Sequence, residues 1–220
     1  MINFYQAREN MVNGQIETAG VTNLALLDSF GAVPREEFVP EAIQSISYRD
    51  EDIDIGHGRY LMSPIVHAKL LQAAQPQSHE VVLDVGCGSG YSSAILSPLV
   101  STVVALDKDE DLLGEAGQCW KALGLCNIAS LKGDLRKGAP DGAPFDLIIV
   151  NGAVSEIPQI LVDQLSDTGR LMTVLKLSGR VMGQAVMVRK NSDGAPSVVP
   201  LFDASASYLP EFMPSVTFRF

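Results

Sequence analysis

Three glycines and an acidic residue stand together at the end of a short apolar run. Val81–Leu83 leads into Asp84, and Gly86, Gly88 and Gly90 follow at every second position. Because glycine has no Cβ, such a turn lets a ligand come close to the backbone. The small residues after the turn predict a helix, whose first turn adds free N–H groups and a partial positive charge. The pattern therefore predicts a strand, a glycine turn and a helix that together bind a ligand.

The spacing of the glycines narrows the class of ligand. A dinucleotide-binding fingerprint reads GxGxxG, whereas this turn reads GxGxG after a strand-end acid. We interpret it as a nucleoside site in which no pyrophosphate has to be held. The same spacing disfavours a Rossmann dehydrogenase. A glycine run alone is weak evidence, because a tight turn between a strand and a helix can carry it without any ligand.

Two more acidic residues follow apolar runs farther along the chain. Val103–Leu106 ends in Asp107, about 20 residues after the glycines, where a ribose-binding acid belongs. Ile128–Leu131 is followed by Gly133 and Asp134. If the three runs are parallel strands, their acids all fall at the carboxyl edge of one sheet. That edge is where open α/β sheets bind ligands.

Length and composition limit the class of protein. The chain has 220 residues, of which 46% are hydrophobic, and this suits a single domain with a full core. A net charge of −10 disfavours nucleic acid as a partner. The chain contains no apolar run that could span a bilayer and no apolar signal core near its start, so we expect no membrane partner and a cytoplasmic location. The cysteines and histidines lack ligand spacing, and no metal site is expected.

From Glu80 onward, apolar runs alternate with helical patterns. This alternation predicts a doubly wound α/β fold, Rossmann-like, with a mostly parallel sheet over residues 76–220. Residues 1–47 read as short helices, and we expect them to form an N-terminal helical cap on the sheet within a single domain, 1–220. Ser63 is expected to cap a helix that begins at Pro64. Alternating apolar residues at Val216, Phe218 and Phe220 predict a final strand.

Five segments spread over the chain match motifs of a known family. They lie within Ala7–Val12, Val33–Pro40, Tyr48–Gly58, Asp84–Tyr91 and Ala143–Asp146. On these motifs the whole chain resembles the protein-L-isoaspartate O-methyltransferases. The resemblance implies a class I methyltransferase fold with an N-terminal helical cap and S-adenosylmethionine (SAM) as cofactor. It also implies that the methyl acceptor is the carboxylate of isoaspartyl residues in damaged proteins.

The resemblance assigns cofactor-binding roles to single residues. These are Asp84, Gly86, Gly88, Gly90, Asp107, Asp134, Leu135 and His67. Asp84 and the glycines would hold the methionine portion, Asp107 the ribose hydroxyls and Asp134 the adenine amino group. His67 either touches the cofactor or is a helix histidine that is satisfied in the core. Asn151 is expected at the mouth of the cleft.

The chain departs from the family in the loop on the acceptor side. The family commonly reads GQTIS, any residue and proline, whereas Gly58–Pro64 reads GRYLMSP. The functional serine of the family therefore aligns with Met62, and Ser63 lies beside it. Ser63 and Arg59 are the candidate catalytic residues. Ser63 lies next to the position of the family serine, and the guanidinium of Arg59 can bind a carboxylate through two hydrogen bonds. The alternative for Arg59 is a surface partner of the acidic run Asp50–Asp54.

These departures leave the acceptor open. One alternative is a SAM-binding homologue that methylates another carboxylate. The other is a SAM-binding sensor or partner protein with no turnover. As to assembly, we expect a monomer or a weak homodimer.

Overall fold

A sheet of seven strands runs through the centre of the molecule in the computed structural model, which describes residues 2–214. Two short strands come first in the chain, β1 (Ile53–Gly56) and β2 (Arg59–Leu61). The sheet itself consists of β3 (Val81–Val85), β4 (Thr102–Asp107), β5 (Ile128–Lys132), β6 (Phe145–Val154), β7 (Leu165–Leu175), β8 (Gly183–Lys190) and β9 (Pro196–Ala204). The α-helices are α1 (Phe4–Met11), α2 (Leu24–Ala32), α3 (Pro64–Ala74), α4 (Tyr91–Leu96), α5 (Glu110–Ala122) and α6 (Gln159–Asp163). The strands β1 and β2 form a separate antiparallel hairpin.

The chain changes its direction of travel across the sheet beside β3. The order of the strands is β5-β4-β3-β6-β7-β8-β9, so the chain first builds one side of β3 and then returns to build the other. The first five strands in this order are parallel to one another. Their carboxyl ends therefore share one edge. The crevice outside the ends of β3 and β6 is a topological switch point, where sheets of this kind bind ligands.

The central strands are apolar because both of their faces are buried. In β6, Leu147 and Ile149 belong to one hydrophobic cluster, while Ile148 and Val150 belong to a second cluster. Successive side chains of a strand point to opposite faces, so the two clusters lie on the two sides of the sheet. This arrangement fixes the register of the strands whose ends carry the acids.

The predicted mostly parallel sheet is confirmed, with additions that the sequence pattern did not reveal. The last two strands of the sheet are antiparallel to their neighbours. Neither β9 nor the hairpin of β1 and β2 was predicted. The final strand that was predicted at Val216, Phe218 and Phe220 lies outside the described residues.

The N-terminal helices share a core with the sheet. Ser29 of α2 donates a hydrogen bond to the carbonyl of Ile95 in α4, with an Oγ–O distance of 2.7 Å. The ring of Phe30 meets the rings of His67 and Tyr91 edge-on, at centroid distances of 5.4 and 6.3 Å. Among the helices of residues 2–214, none is both long enough and apolar enough to cross a membrane.

A buried ion pair joins three elements at the amino ends of the parallel strands, at the edge opposite to the glycine turn. Arg170 of β7 donates to both carboxylate oxygens of Glu80, at 2.6 and 2.9 Å, just before β3 begins. Its Nε also donates to the carbonyl of Ala74 at the end of α3, at 2.6 Å. Both side chains are 8% exposed. Removing one partner would leave the other charge buried without compensation.

We predict that Arg170→Leu lowers the free energy of unfolding by about 3–5 kcal/mol, the cost of breaking a buried pair. The measurement is urea denaturation at neutral pH. Arg49→Leu is the matched control, because Arg49 and Glu51 form a pair whose side chains are 63% and 59% exposed. The control should change stability by less than about 1 kcal/mol. Equal effects of the two substitutions would contradict the structural role of Arg170.

Candidate active site

The carboxylate of Asp84, at the end region of β3, is enclosed by neutral donors. The residue is fully buried. Its Oδ1 accepts from Ser92 Oγ at 2.9 Å and from Asn151 Nδ2 at 2.6 Å, and its Oδ2 accepts from Ser93 Oγ at 2.5 Å. Burial raises the pKa of Asp84, while these hydrogen bonds act in the opposite direction. The acid is therefore held in place by the first turn of α4 and by β6.

The carboxylate of Asp107, at the end of β4, is compensated in a different way. It is also fully buried, but its main partner is the cation of Arg59. Arg59 Nε donates to Oδ2 and Nη2 donates to Oδ1, both at 3.0 Å. Backbone N–H groups of Gly88 and Lys108 add hydrogen bonds at 3.0 and 2.7 Å. The predicted ribose acid thus has its two oxygens engaged by the protein itself.

Two of the three glycines in the turn face side chains that cover the sheet edge. Gly86 and Gly88 both have positive φ. A Cβ on Gly86 would lie 2.8 Å from the methyl groups of Leu209, and a Cβ on Gly88 would lie 3.2 Å from Ile55 and 3.6 Å from Arg59. Side chains of the same chain therefore occupy the space that these two glycines leave open beside the backbone.

The third glycine serves the packing of a helix. A Cβ on Gly90 would lie 2.5 Å from the ring of Trp120 in α5. Trp120 Nε1 also donates to the carbonyl of Gly90 at 2.9 Å. A side chain at this position would collide with the indole, so glycine is required at position 90 by Trp120. This contact accounts for Gly90 without a ligand.

The third predicted acid lies in an exposed turn after β5. Asp134 is exposed, and its Oδ1 accepts from the backbone N–H of Arg136 at 3.0 Å. The neighbouring Leu135 is fully buried in the core on one side of the sheet. The side chain of Asp134 is therefore accessible from outside, whereas the side chain of Leu135 is not. Contacts of these two residues with adenine stay a prediction.

A small cavity of about 20 Å³ lies between the glycine turn, α3 and the hairpin. His67 and Ser89 line it, together with Met62 and Asn151. Among the described residues, no group accepts from or donates to His67 Nε2 or Ser89 Oγ, although both atoms are buried. Buried polar atoms are normally hydrogen-bonded. Two polar atoms beside the glycine turn can therefore hydrogen-bond a polar group, either a water molecule or part of a ligand, in this cavity.

Burial keeps the imidazole of His67 neutral. It lowers the pKa of His67 to about 3, and the positive charge of Arg35 acts in the same direction. The guanidinium of Arg35 is itself fully buried and lies 4.9 Å from the ring centroid of Tyr91. His67 therefore offers a neutral ring nitrogen to whatever occupies the cavity at physiological pH.

The loop before α3 does not bring the two candidate catalytic residues together. Ser63 caps α3 as predicted, and its hydroxyl donates to Asp50. It is not among the residues that line the cavity, whereas Met62 is. Arg59 is 2% exposed and pairs with Asp107, so the alternative of a surface partner for Asp50–Asp54 is wrong. Catalytic roles for Ser63 and Arg59 stay predictions.

Two segments cover the glycine turn, and the sequence pattern revealed neither of them. The first is the hairpin of β1 and β2, whose His57 contacts Asp109 of the α5 N-cap with an Nδ1–Oδ2 distance of 2.6 Å. The second is residues 205–212, which we call the tail segment. It is tied to the loop before β1, because the N–H of Ser207 donates to Asp52 at 2.6 Å. Together they lie over the edge that carries Asp84 and Asp107.

The sheet order, the strand-end acids and the glycine turn define a class I methyltransferase. More particularly, the chain belongs to the protein-L-isoaspartate (D-aspartate) O-methyltransferase family, whose family model matches residues 6–210. It is 36% identical over 194 residues to protein-L-isoaspartate O-methyltransferase 1 of Syntrophobacter fumaroxidans, covering 88% of this chain and 90% of that one. A Pelotomaculum thermopropionicum relative of the same name is also 36% identical, over 88% of this chain and 84% of its own.

A solved structure supports the fold independently. A Plasmodium falciparum protein assigned to the same family, in complex with S-adenosyl-L-homocysteine, superposes with a TM-score of 0.76 over 95% of this chain and 99% of its own, at 22% identity. The predicted family and class I methyltransferase fold are confirmed. The predicted cofactor, SAM, agrees with the family and with the ligand of that complex.

We predict that His67 makes the protein less stable below neutral pH. The pKa of His67 is lowered to about 3 in the folded state, and an unfolded histidine titrates near 6.5. Between these values only the unfolded state binds the proton, so stability falls as the pH drops below about 6.5. Between pH 7 and pH 5 this term costs about 2 kcal/mol.

Urea denaturation of the parent and of His67→Asn at both pH values measures this term. The difference between their pH dependences isolates His67 from the carboxylates. His79→Asn is the control for an exposed histidine. The same pH dependence in the parent and in His67→Asn would show that the imidazole protonates as readily in the folded state as in the unfolded one.

Proposed function

We propose that this protein transfers the methyl group of SAM to the carboxylate of isoaspartyl residues in proteins. The observation that carries the proposal is the pair of buried acids beside the glycine turn, Asp84 in β3 and Asp107 at the end of β4, at the carboxyl edge of the parallel strands. Family membership over residues 6–210 supports the same reaction. A cytoplasmic location and a monomeric or weakly dimeric state remain predictions.

The donor set fits SAM in its chemistry. Asp84 and the unpartnered atoms of His67 and Ser89 suit the charged end of an amino acid, and Asp107 suits a ribose diol. The cavity beside the glycine turn is too small for SAM, because pockets that bind small molecules usually have volumes of about 300–1,000 Å³. The cavity of about 20 Å³ would hold about one water molecule. Arg59 and Leu209 must therefore move before the cofactor can lie along the glycine turn.

The acceptor needs orientation more than proton chemistry. SAM supplies an electrophilic methyl group, and an Asp-like carboxyl, with a pKa near 4, is already an anionic nucleophile at neutral pH. The protein has to align that carboxylate and keep water away from it. The apolar side chains of Ile55 and Met62, both largely buried, suit the exclusion of water. Neither of them can hydrogen-bond the acceptor.

Met62 favours a second candidate function. It stands where the family carries its functional serine, and it lines the cavity next to the glycine turn. Without a hydroxyl at this point the chain would bind SAM but orient an isoaspartyl carboxylate poorly. The second candidate is therefore a SAM-binding homologue that methylates another carboxylate or has no turnover.

The formation of S-adenosylhomocysteine tests the proposal. The protein is incubated with SAM and an isoaspartyl peptide, with the aspartyl peptide of the same sequence as control. We expect product only with the isoaspartyl peptide and none with Asp84→Ala, which removes the acceptor of three hydrogen bonds in the site. Equal product with both peptides, or none while SAM remains bound, would favour the second candidate.

We predict that Met62→Ser increases isoaspartyl methylation by one to two powers of ten. A charge-assisted hydrogen bond from the new hydroxyl to the acceptor is worth about 1.5–3 kcal/mol, and each 1.36 kcal/mol off the barrier is tenfold in rate. The measurement is kcat/KM with the isoaspartyl peptide. Met62→Ala is the control, because it makes room without supplying a donor.

Two outcomes would count against this account of Met62. Parent activity as high as that of Met62→Ser would mean that the missing serine is dispensable in this chain. An equal increase in Met62→Ala would mean that Met62 restricts the acceptor by its volume and that the hydroxyl contributes nothing.

A further inference from the structure

Arg59 occupies the position at which a ribose would meet Asp107. Its guanidinium bonds both carboxylate oxygens in the parallel two-bond geometry that suits a carboxylate, at 3.0 Å each. Its stem crosses the face of the glycine turn, since a Cβ on Gly88 would lie 3.6 Å from Arg59 Cβ. The side chain is only 2% exposed. It therefore fills the space between the second glycine and the second acid.

A second carboxylate holds Arg59 from the outer side. Glu211 in the tail segment accepts from Arg59 Nη1 at 3.2 Å and from Nη2 at 3.3 Å. Lys108, directly after Asp107 in the chain, also pairs with Glu211. Burial alone would raise the pKa of Glu211, but Lys108 and Arg59 together hold it below its usual value. Two cations and two carboxylates are thus balanced at one place on the sheet edge.

The tail segment is attached to the sheet beside this cluster. Ala153 of β6 donates to the carbonyl of Ser207 at 2.8 Å and accepts from the N–H of Leu209 at 3.0 Å. Leu209 is 2% exposed and rests on Gly86. The carbonyl of Glu211 accepts from Arg136 Nε at 2.5 Å. Backbone pairing therefore delivers Leu209 and Glu211 to the same glycine turn that Arg59 crosses.

We propose that Arg59 and Glu211 form a latch that keeps the cofactor cleft closed, and that SAM binds only when Arg59 leaves Asp107 and the tail segment moves away. The inference rests on the proposed function, because it concerns the cofactor of that reaction. The buried guanidinium of Arg59 fills the space in front of both oxygens of Asp107, so a ribose diol can reach them only after Arg59 withdraws.

The latch lowers the observed affinity for the cofactor by the fraction of molecules that are open. Asp107 is buried, and Arg59 supplies its compensating charge when no ribose is present. Glu211 can be substituted without removing any of the groups that donate hydrogen bonds to Asp107. A substitution there should raise the open fraction and leave the cofactor contacts intact.

Calorimetric titration with S-adenosylhomocysteine tests the latch. The proteins are the parent, Glu211→Gln and Arg59→Gln, with Glu110→Gln as the matched control. Glu110 is an exposed acid that pairs with Lys132, whereas Glu211 pairs with Arg59 and Lys108, and the substitution of Glu110 makes the same change in charge. We expect Glu211→Gln and Arg59→Gln to bind at least tenfold more tightly than the parent, and Glu110→Gln to bind like the parent.

The exchange rates of backbone amide hydrogens in the parent protein provide a second test. Added S-adenosylhomocysteine should speed exchange at the amides of Ala153 and Leu209, which pair the tail segment with β6. If Arg59→Gln does not fold, Glu211→Gln and this exchange measurement still decide the matter. Equal affinities in all four proteins, with unchanged exchange, would overturn the latch and leave the proposed function standing. No binding in any of the four, with folded protein, would overturn the proposed function itself.

Discussion

The buried carboxylate of Asp107 must have a partner, and the identity of that partner decides the shape of the whole sheet edge. A charge at the end of a central parallel strand is far from water, and leaving it alone is costly. In this structure the partner is Arg59, delivered by the hairpin and held from behind by Glu211. The hairpin and the tail segment therefore bring the charges of Arg59 and Glu211 to the glycine turn. The cleft is closed by the same interaction that satisfies the acid.

The two acids of the site are supported in contrasting ways. Asp84 receives hydrogen bonds from neutral hydroxyl and amide groups, which neighbouring elements supply and which need not move. Asp107 relies on a cation at the end of a long side chain, reinforced by a residue from a segment outside the sheet. The first arrangement is suited to a permanent binding surface. The second is suited to exchange of one partner for another.

The parts of the site that were predictable are those encoded locally. The glycine turn follows Asp84 within six residues, and the Ser63 cap stands directly before its helix. The strand-end position of Asp107 followed from an apolar run and from the spacing to the glycines. Each of these signals lies within one element or one turn, where sequence periodicity and capping chemistry are informative.

The parts that were missed depend on partners that are remote in the chain. Arg59 is 48 residues from Asp107 and 152 residues from Glu211, and no local pattern links them. The need for glycine at position 90 comes from Trp120, 30 residues away. The strand β9 contains two prolines, Pro196 and Pro200, which weaken the strand signal. Arg59 was misplaced because its charge partners are remote, the role of Gly90 was missed because it depends on packing, and β9 was missed because an edge strand can contain prolines.

The carboxylate of Asp107 serves either Arg59 or the cofactor. A crystal structure of the parent protein grown with S-adenosylhomocysteine tests it most directly. We expect ribose hydroxyls on both oxygens of Asp107, with the Arg59 guanidinium withdrawn and Leu209 no longer resting on Gly86. A structure in which the ligand lies along the glycine turn while Arg59 keeps both bonds to Asp107 would contradict it.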